Sequence, residues 1–86
     1  MPDWPVYRSQ LSPEAAALLV SLPRQRQKRV LDLADQIARQ PFQIGDYQTM
    51  DADGRAVENL LLEDYLFSYW ADHASREVRI TEIIKV

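Results

Sequence analysis

Apolar residues recur with two different periods along this chain. After Ser12, the residues Ala15, Leu18, Leu19 and Leu22 fall at i, i+3, i+4 and i+7, which is one face of a helix. The segment Ser12-Pro13-Glu14 supplies its start. A serine hydroxyl can cap free backbone N–H groups, proline suits the first helical position, and a carboxylate favours the positive helix end. Pro23 ends this helix or opens the next. A second helix is predicted over residues 23–40, with Val30, Leu33, Ala34 and Ile37 on one side and Arg24, Lys28, Asp32, Asp35 and Arg39 on the other. Lys28 with Asp32 and Asp35 with Arg39 have the spacing of helical ion pairs. Pro41 stops the helix. So little chain separates the two helices that they should form an antiparallel hairpin.

Beyond Phe42 the period changes to two. Strands are predicted over residues 56–62, 65–71 and 77–84. The turns between them are Glu63-Asp64 and Asp72-His73-Ala74-Ser75, and Asp51-Ala52-Asp53-Gly54 precedes the first. In the last strand Val78 and Ile80 alternate with Arg79 and Thr81, and the alternation slips near Glu82-Ile83-Ile84, as a bulge would make it. Residues 4–10 read as a short additional strand, in which Pro5 indicates an edge or a strand start. The predicted order is β-α-α-β-β-β in a single domain spanning residues 1–86. It is an α+β fold in which a helical hairpin packs on one face of a small, mostly antiparallel, four-stranded sheet. The opposite face is left open, and a site is expected there.

Composition narrows the chemistry. The chain has 86 residues, enough for one core, and no cysteine, which excludes disulfides, thiolate metal sites and cysteine nucleophiles. Its net charge of −3 argues against a dedicated nucleic-acid binder. Residues 1–5 have neither the basic nor the apolar region of a signal peptide, and no apolar run approaches a membrane span, so a cytoplasmic location without membrane contact is expected.

Several residue groups invite a functional reading and have a plainer one. Arg24, Arg26, Lys28 and Arg29 form a basic run, but Asp32 and Asp35 interleave with it as on a solvated helix face. His73, the only histidine, lies in a turn without an evident orienting partner and reads as a surface residue. Asp51 to Gly54 lacks the ligand spacing of a calcium loop and reads as a hairpin turn. The two glycines, Gly45 and Gly54, form no phosphate-binding loop, and the acids are scattered. No metal or cofactor is expected, and no catalytic set is assigned.

Glu63-Asp64-Tyr65-Leu66-Phe67-Ser68-Tyr69 resembles the Gly-Asp-Tyr-Arg-Val-x-Tyr strand of the RelE/ParE superfamily, the toxins of bacterial type II toxin–antitoxin modules. Asp72, then Val78-Arg79-Ile80 with Ile83, resembles that family's closing strand, and Ser12-Pro13-Glu14-Ala15 its first helix start. The resemblance implies a toxin that inhibits translation or replication, a cognate antitoxin as partner, and the ribosome with its mRNA or DNA gyrase as target. Where the family's ribosome-dependent ribonucleases carry arginine, this chain has Leu66, which supplies no charge to a phosphate. If the strand is carried over, Leu66, Ser68 and Trp70 lie on the open face and Tyr65, Phe67 and Tyr69 turn toward the helices. Arg55, Leu66, Trp70, Arg79 and Lys85 are then the candidate residues for binding RNA or a partner. The alternative is a non-catalytic module, a gyrase-type inhibitor, a degenerate toxin or a self-associating protein, acting through that face.

Overall fold

The computed structural model describes residues 6–86. Trp4 and Pro5 of the expected first strand lie outside the described residues. The elements run β1 (Arg8–Leu11), α1 (Pro13–Ser21), α2 (Arg24–Ala38), β2 (Tyr47–Met50), β3 (Ala56–Leu62), β4 (Tyr65–Asp72) and β5 (Glu77–Lys85). The sheet has five strands in the order β1-β5-β4-β3-β2. β1 runs parallel to β5 and every other pairing is antiparallel.

Local chemistry sets the ends of the elements. Ser12 Oγ accepts from the Ala15 backbone N–H (3.1 Å) at the start of α1 and also donates to the Thr81 carbonyl (2.7 Å), so one hydroxyl caps the helix and ties it to β5. At Thr81 the β4–β5 register shifts, from Ser68 opposite Glu82 to Tyr69 opposite Ile80. Thr81 is thus the extra residue of a bulge, one position before Glu82-Ile83-Ile84, where the alternation of the sequence slips. The bulge lets Val78, Ile80 and Ile83 all reach the core.

The core is as the two periods require. Ala15, Val30, Leu33, Ala34 and Ile37 of the helices pack against Leu60, Tyr65, Phe67, Tyr69, Val78, Ile80 and Ile83 of the sheet. Tyr65, Phe67 and Tyr69 are buried on the helix side, as expected from the alternation. The ion pairs anticipated along α2 are not formed. Arg29 instead reaches Glu63 in the β3–β4 turn, and Ser9 Oγ donates to Asp35 across to β1 at 3.5 Å. Ion pairs between neighbours on an exposed helix face are weak, so little holds them together. The Arg29 pairing holds the Glu63 carboxyl below its ordinary range.

The strand missing from the sequence reading is β2. All of its residues are exposed and they show no alternation, because it lies at a sheet edge with little to bury. What fixes it is the approach to β3. Asp46 N–H donates to the Asn59 carbonyl (2.7 Å), and Gly45 N–H donates to the Glu58 carboxylate (2.7 Å). A Cβ on Gly45 would lie 2.6–2.9 Å from backbone atoms of Asn59, so only glycine permits this contact. Gly45→Ala should therefore push β2 off the sheet. The expected cost is about 1–3 kcal/mol in urea denaturation, with faster amide exchange confined to β2 and its partner strand.

Tyr69 joins the core to the loop before β2. Its side chain is 1% exposed and its hydroxyl donates to the Gln43 carbonyl at 3.1 Å. Burial, with the nearby charges of Glu58 and Asp46, pushes the phenol up to about 12. A phenol in the unfolded chain ionises near pH 10. Below that pH both states hold the proton and the contribution of Tyr69 is complete. Between about pH 10 and pH 12 only the unfolded chain loses it, and stability should fall by up to about 1.4 kcal/mol per pH unit. Absorbance at alkaline pH should show Tyr69 ionising late, and Tyr69→Phe should remove its contribution to the late step.

Candidate functional site

The sheet face away from the helices is built by register. Across β3, β4 and β5 the pairs Asn59–Ser68, Leu61–Leu66, Leu66–Ile84, Ser68–Glu82 and Trp70–Arg79 share it. Trp70 is half-buried and lies between two guanidinium groups, Arg55 at 3.8 Å from the ring centroid and Arg79 at 5.6 Å. Each cation is held by acids. Arg55 pairs with Asp51 at 3.2 Å, while Arg79 pairs with Glu77 at 2.9 Å and Asp72 at 3.5 Å. Asp51 also accepts from the backbone N–H groups of Arg55 and Asp53, which lower its carboxyl and lock the hairpin turn that carries Arg55. Gly54, at φ 77°, closes that turn. At the end of β4, Asp72 is lowered chiefly by hydrogen bonds from Ser75, and also by Arg79.

Next to this cation–tryptophan group, Ser68 Oγ donates to Asn59 Oδ1 (2.7 Å) and Asn59 Nδ2 donates to Thr49 Oγ1 (3.1 Å). Asn59 and Ser68 are buried, so this polar row is a fixed part of the face. Farther along lies an apolar strip. Leu66 is half-buried, and Leu61 and Ile84, paired to it on either side, are 49% and 41% exposed. A cavity of about 330 Å³ opens over Leu66, Asn59, Ser68 and Thr81.

The structure brings together Arg55, Trp70 and Arg79, and sets Leu66 on the same face. It does not bring Lys85 to them. Lys85 pairs with Tyr65, which belongs to the helix side, so the bulge at Thr81 leaves this lysine on the opposite face from Arg79. Arg24, Arg26 and Lys28 are exposed on α2. A tryptophan between arginines, a locked polar row and an apolar strip form a surface suited to burying a partner. Tryptophan and arginine are among the residues that most often carry the energy of protein interfaces.

The sequence reading missed the surroundings of His73. The residue is exposed, as expected of a surface histidine, but Tyr7 Oη lies 2.6 Å from its Nδ1 and the Phe42 ring stacks on it at 4.8 Å and 12°. Both partners come from distant loops, and no local spacing announces them. No helix in the described residues is long and apolar enough to cross a membrane.

No family model and no curated protein matches the sequence. Solved structures do match the fold. A chain of the toxin–antitoxin complex RelBE2 from Mycobacterium tuberculosis superposes with a TM-score of 0.74 at 18% identity, covering 93% of this chain and 98% of that one. A chain of the archaeal RelE–RelB complex from Pyrococcus horikoshii OT3 superposes with a TM-score of 0.66 at 19% identity, covering 93% and 94%. With its helical hairpin over one side of a mostly antiparallel sheet, this chain has the fold of the RelE-type toxins.

Proposed function

We infer that this protein is the toxin of a toxin–antitoxin pair, which arrests translation or replication and is neutralised by a cognate antitoxin in the cytoplasm. The observation that carries this reading is the superposition over nearly the whole chain on structures described as RelE–RelB and RelBE2 complexes. An antitoxin segment would also add buried area to a small domain.

Two modes of action remain, and one is favoured by a specific observation. Cleaving RNA through its own 2′-hydroxyl requires cations and proton-transfer groups around the phosphate. At the position of the family's arginine the face carries Leu66, flanked by Leu61 and Ile84. That strip supports action by contact, as in inhibition of gyrase or binding to another protein, over messenger RNA cleavage. The adjacent group of Trp70, Arg55 and Arg79 would anchor the partner.

Tightly controlled induction of this chain alone in bacteria tests the reading. Growth should stop within one or two doublings and resume when the small neighbouring reading frame is co-expressed. Incorporation of labelled thymidine should fall before that of labelled methionine if the target is replication, and after it if the target is translation. Unimpaired growth with abundant folded protein would overturn the toxin assignment.

A further inference from the structure

A second cavity, of about 370 Å³, lies where the loop after α2 meets the β3–β4 end of the sheet. Phe42, His73, Trp70, Arg55, Glu58 and Tyr69 are among the residues that line it. Three of its features are unusual on a solvated surface. The first is Phe42, which is 76% exposed although it is large and apolar. His73 lies parallel to its ring, and Tyr7 meets it edge-on at 6.4 Å and 67°. Tyr7 also holds the imidazole through the 2.6 Å contact to Nδ1. The result is an oriented aromatic platform rather than a lone exposed side chain. The second is the Arg55 guanidinium, anchored over Trp70 and paired with Asp51 through one nitrogen, Nη1, which leaves its other N–H donors unpaired among the described residues. The third is the Glu58 carboxylate. It is fixed by Gly45 N–H at one oxygen (2.7 Å) and by Gln48 Nε2 at the other (2.6 Å), so each oxygen keeps a lone pair for a further donor.

A flat ring to cover the platform, an anionic group for Arg55 and a hydroxyl or amine for Glu58 are the parts of one kind of molecule. We propose that this cavity binds a nucleotide, with the base against the Phe42–His73 stack, the phosphate at Arg55 and a sugar hydroxyl or base amine at Glu58. Its volume is in the range of small-molecule sites. Base stacking on an aromatic side chain is tolerant of base identity, so the site is assigned to the nucleotide as a class. The cavity shares no lining residue with the one over Leu66, and only Arg55 and Trp70 also belong to the group assigned to the partner. The proposal therefore does not depend on the toxin reading.

The test is titration of the full chain with adenosine 5′-monophosphate, followed by amide chemical shifts and by Trp70 fluorescence in a Trp4→Phe background. Saturable shifts centred on Phe42, Arg55 and His73 are expected. Phe42→Ala and Arg55→Gln should each weaken binding by about tenfold or more while the protein remains folded, since both residues lie outside the core cluster. Adenosine and ribose 5-phosphate, which each lack one part, should each bind more weakly than the intact nucleotide. A 5′-phosphorylated trinucleotide RNA separates the two sources: much tighter binding than the monophosphate assigns the site to a nucleotide within a strand, and equal binding to a free one. Absence of saturation at millimolar concentrations would overturn the proposal. So would binding that Phe42→Ala leaves unchanged, or binding that inorganic phosphate reproduces.

Discussion

Phe67→Ala should remove about 3–5 kcal/mol of stability, a large loss for a single truncation. Phe67 is fully buried in the middle of β4, paired with Leu60 on one side and Ile83 on the other, beneath the helical hairpin. Truncating a buried phenylalanine costs about 3–5 kcal/mol, because the transfer energy of the ring is lost and the cavity cannot collapse fully. A domain of this size has about 4–13 kcal/mol in total. Removing about 3–5 kcal/mol takes a quarter or more of that at the upper end and most or all of it at the lower end. Urea denaturation followed by circular dichroism would show the midpoint falling steeply or the native baseline vanishing. A loss below about 1 kcal/mol would mean that the helices do not pack on this side of the sheet. Co-expression with a partner that binds only the folded chain should rescue soluble yield by mass action.

The second large effect concerns binding rather than folding. Trp70 lies outside the core cluster, half-buried between Arg55 and Arg79 on the open face. Trp70→Ala is expected to weaken the partner by about 2 kcal/mol or more, roughly thirtyfold, with little change in the denaturation midpoint. Leu66→Asp gives an independent test of the same face. It places a carboxylate between Leu61 and Ile84, where an approaching apolar surface would have to desolvate it. The substitution leaves the helix-side core untouched. Both variants should lose growth arrest while remaining folded. If Trp70→Ala unfolds the protein, the tryptophan is structural and the open face has lost its anchor.

The physical basis of these expectations was unevenly legible in the sequence. The two periods located both helices and β3, β4 and β5, because each buries a regular stripe against the same core. The alternation of Tyr65, Phe67 and Tyr69 against Leu66, Ser68 and Trp70 assigned the faces of β4 correctly for the same reason. β2 was not legible, since an exposed edge strand has no burial to imprint a pattern. Its position is set by the ladder to β3 and by the close approach of Gly45 to Asn59. Trp70 and Arg79 shared a face by simple alternation, whereas Lys85 did not join them, because the bulge at Thr81 inverts the facing beyond it. The slip near Glu82 signalled the bulge but not which face the final residues would take. The association of Tyr7, Phe42 and His73 was invisible because it depends on how the N-terminal strand and the loop after α2 meet at one end of the sheet.

The open face is the central claim, and it is tested most directly by growth after matched induction of the wild-type chain, Trp70→Ala and Leu66→Asp. Folded protein should be verified at equal abundance in each culture. The account predicts arrest by the wild-type chain and near-normal growth with either variant. Equal arrest by all three at equal folded abundance would contradict it and place the toxic surface elsewhere on the molecule.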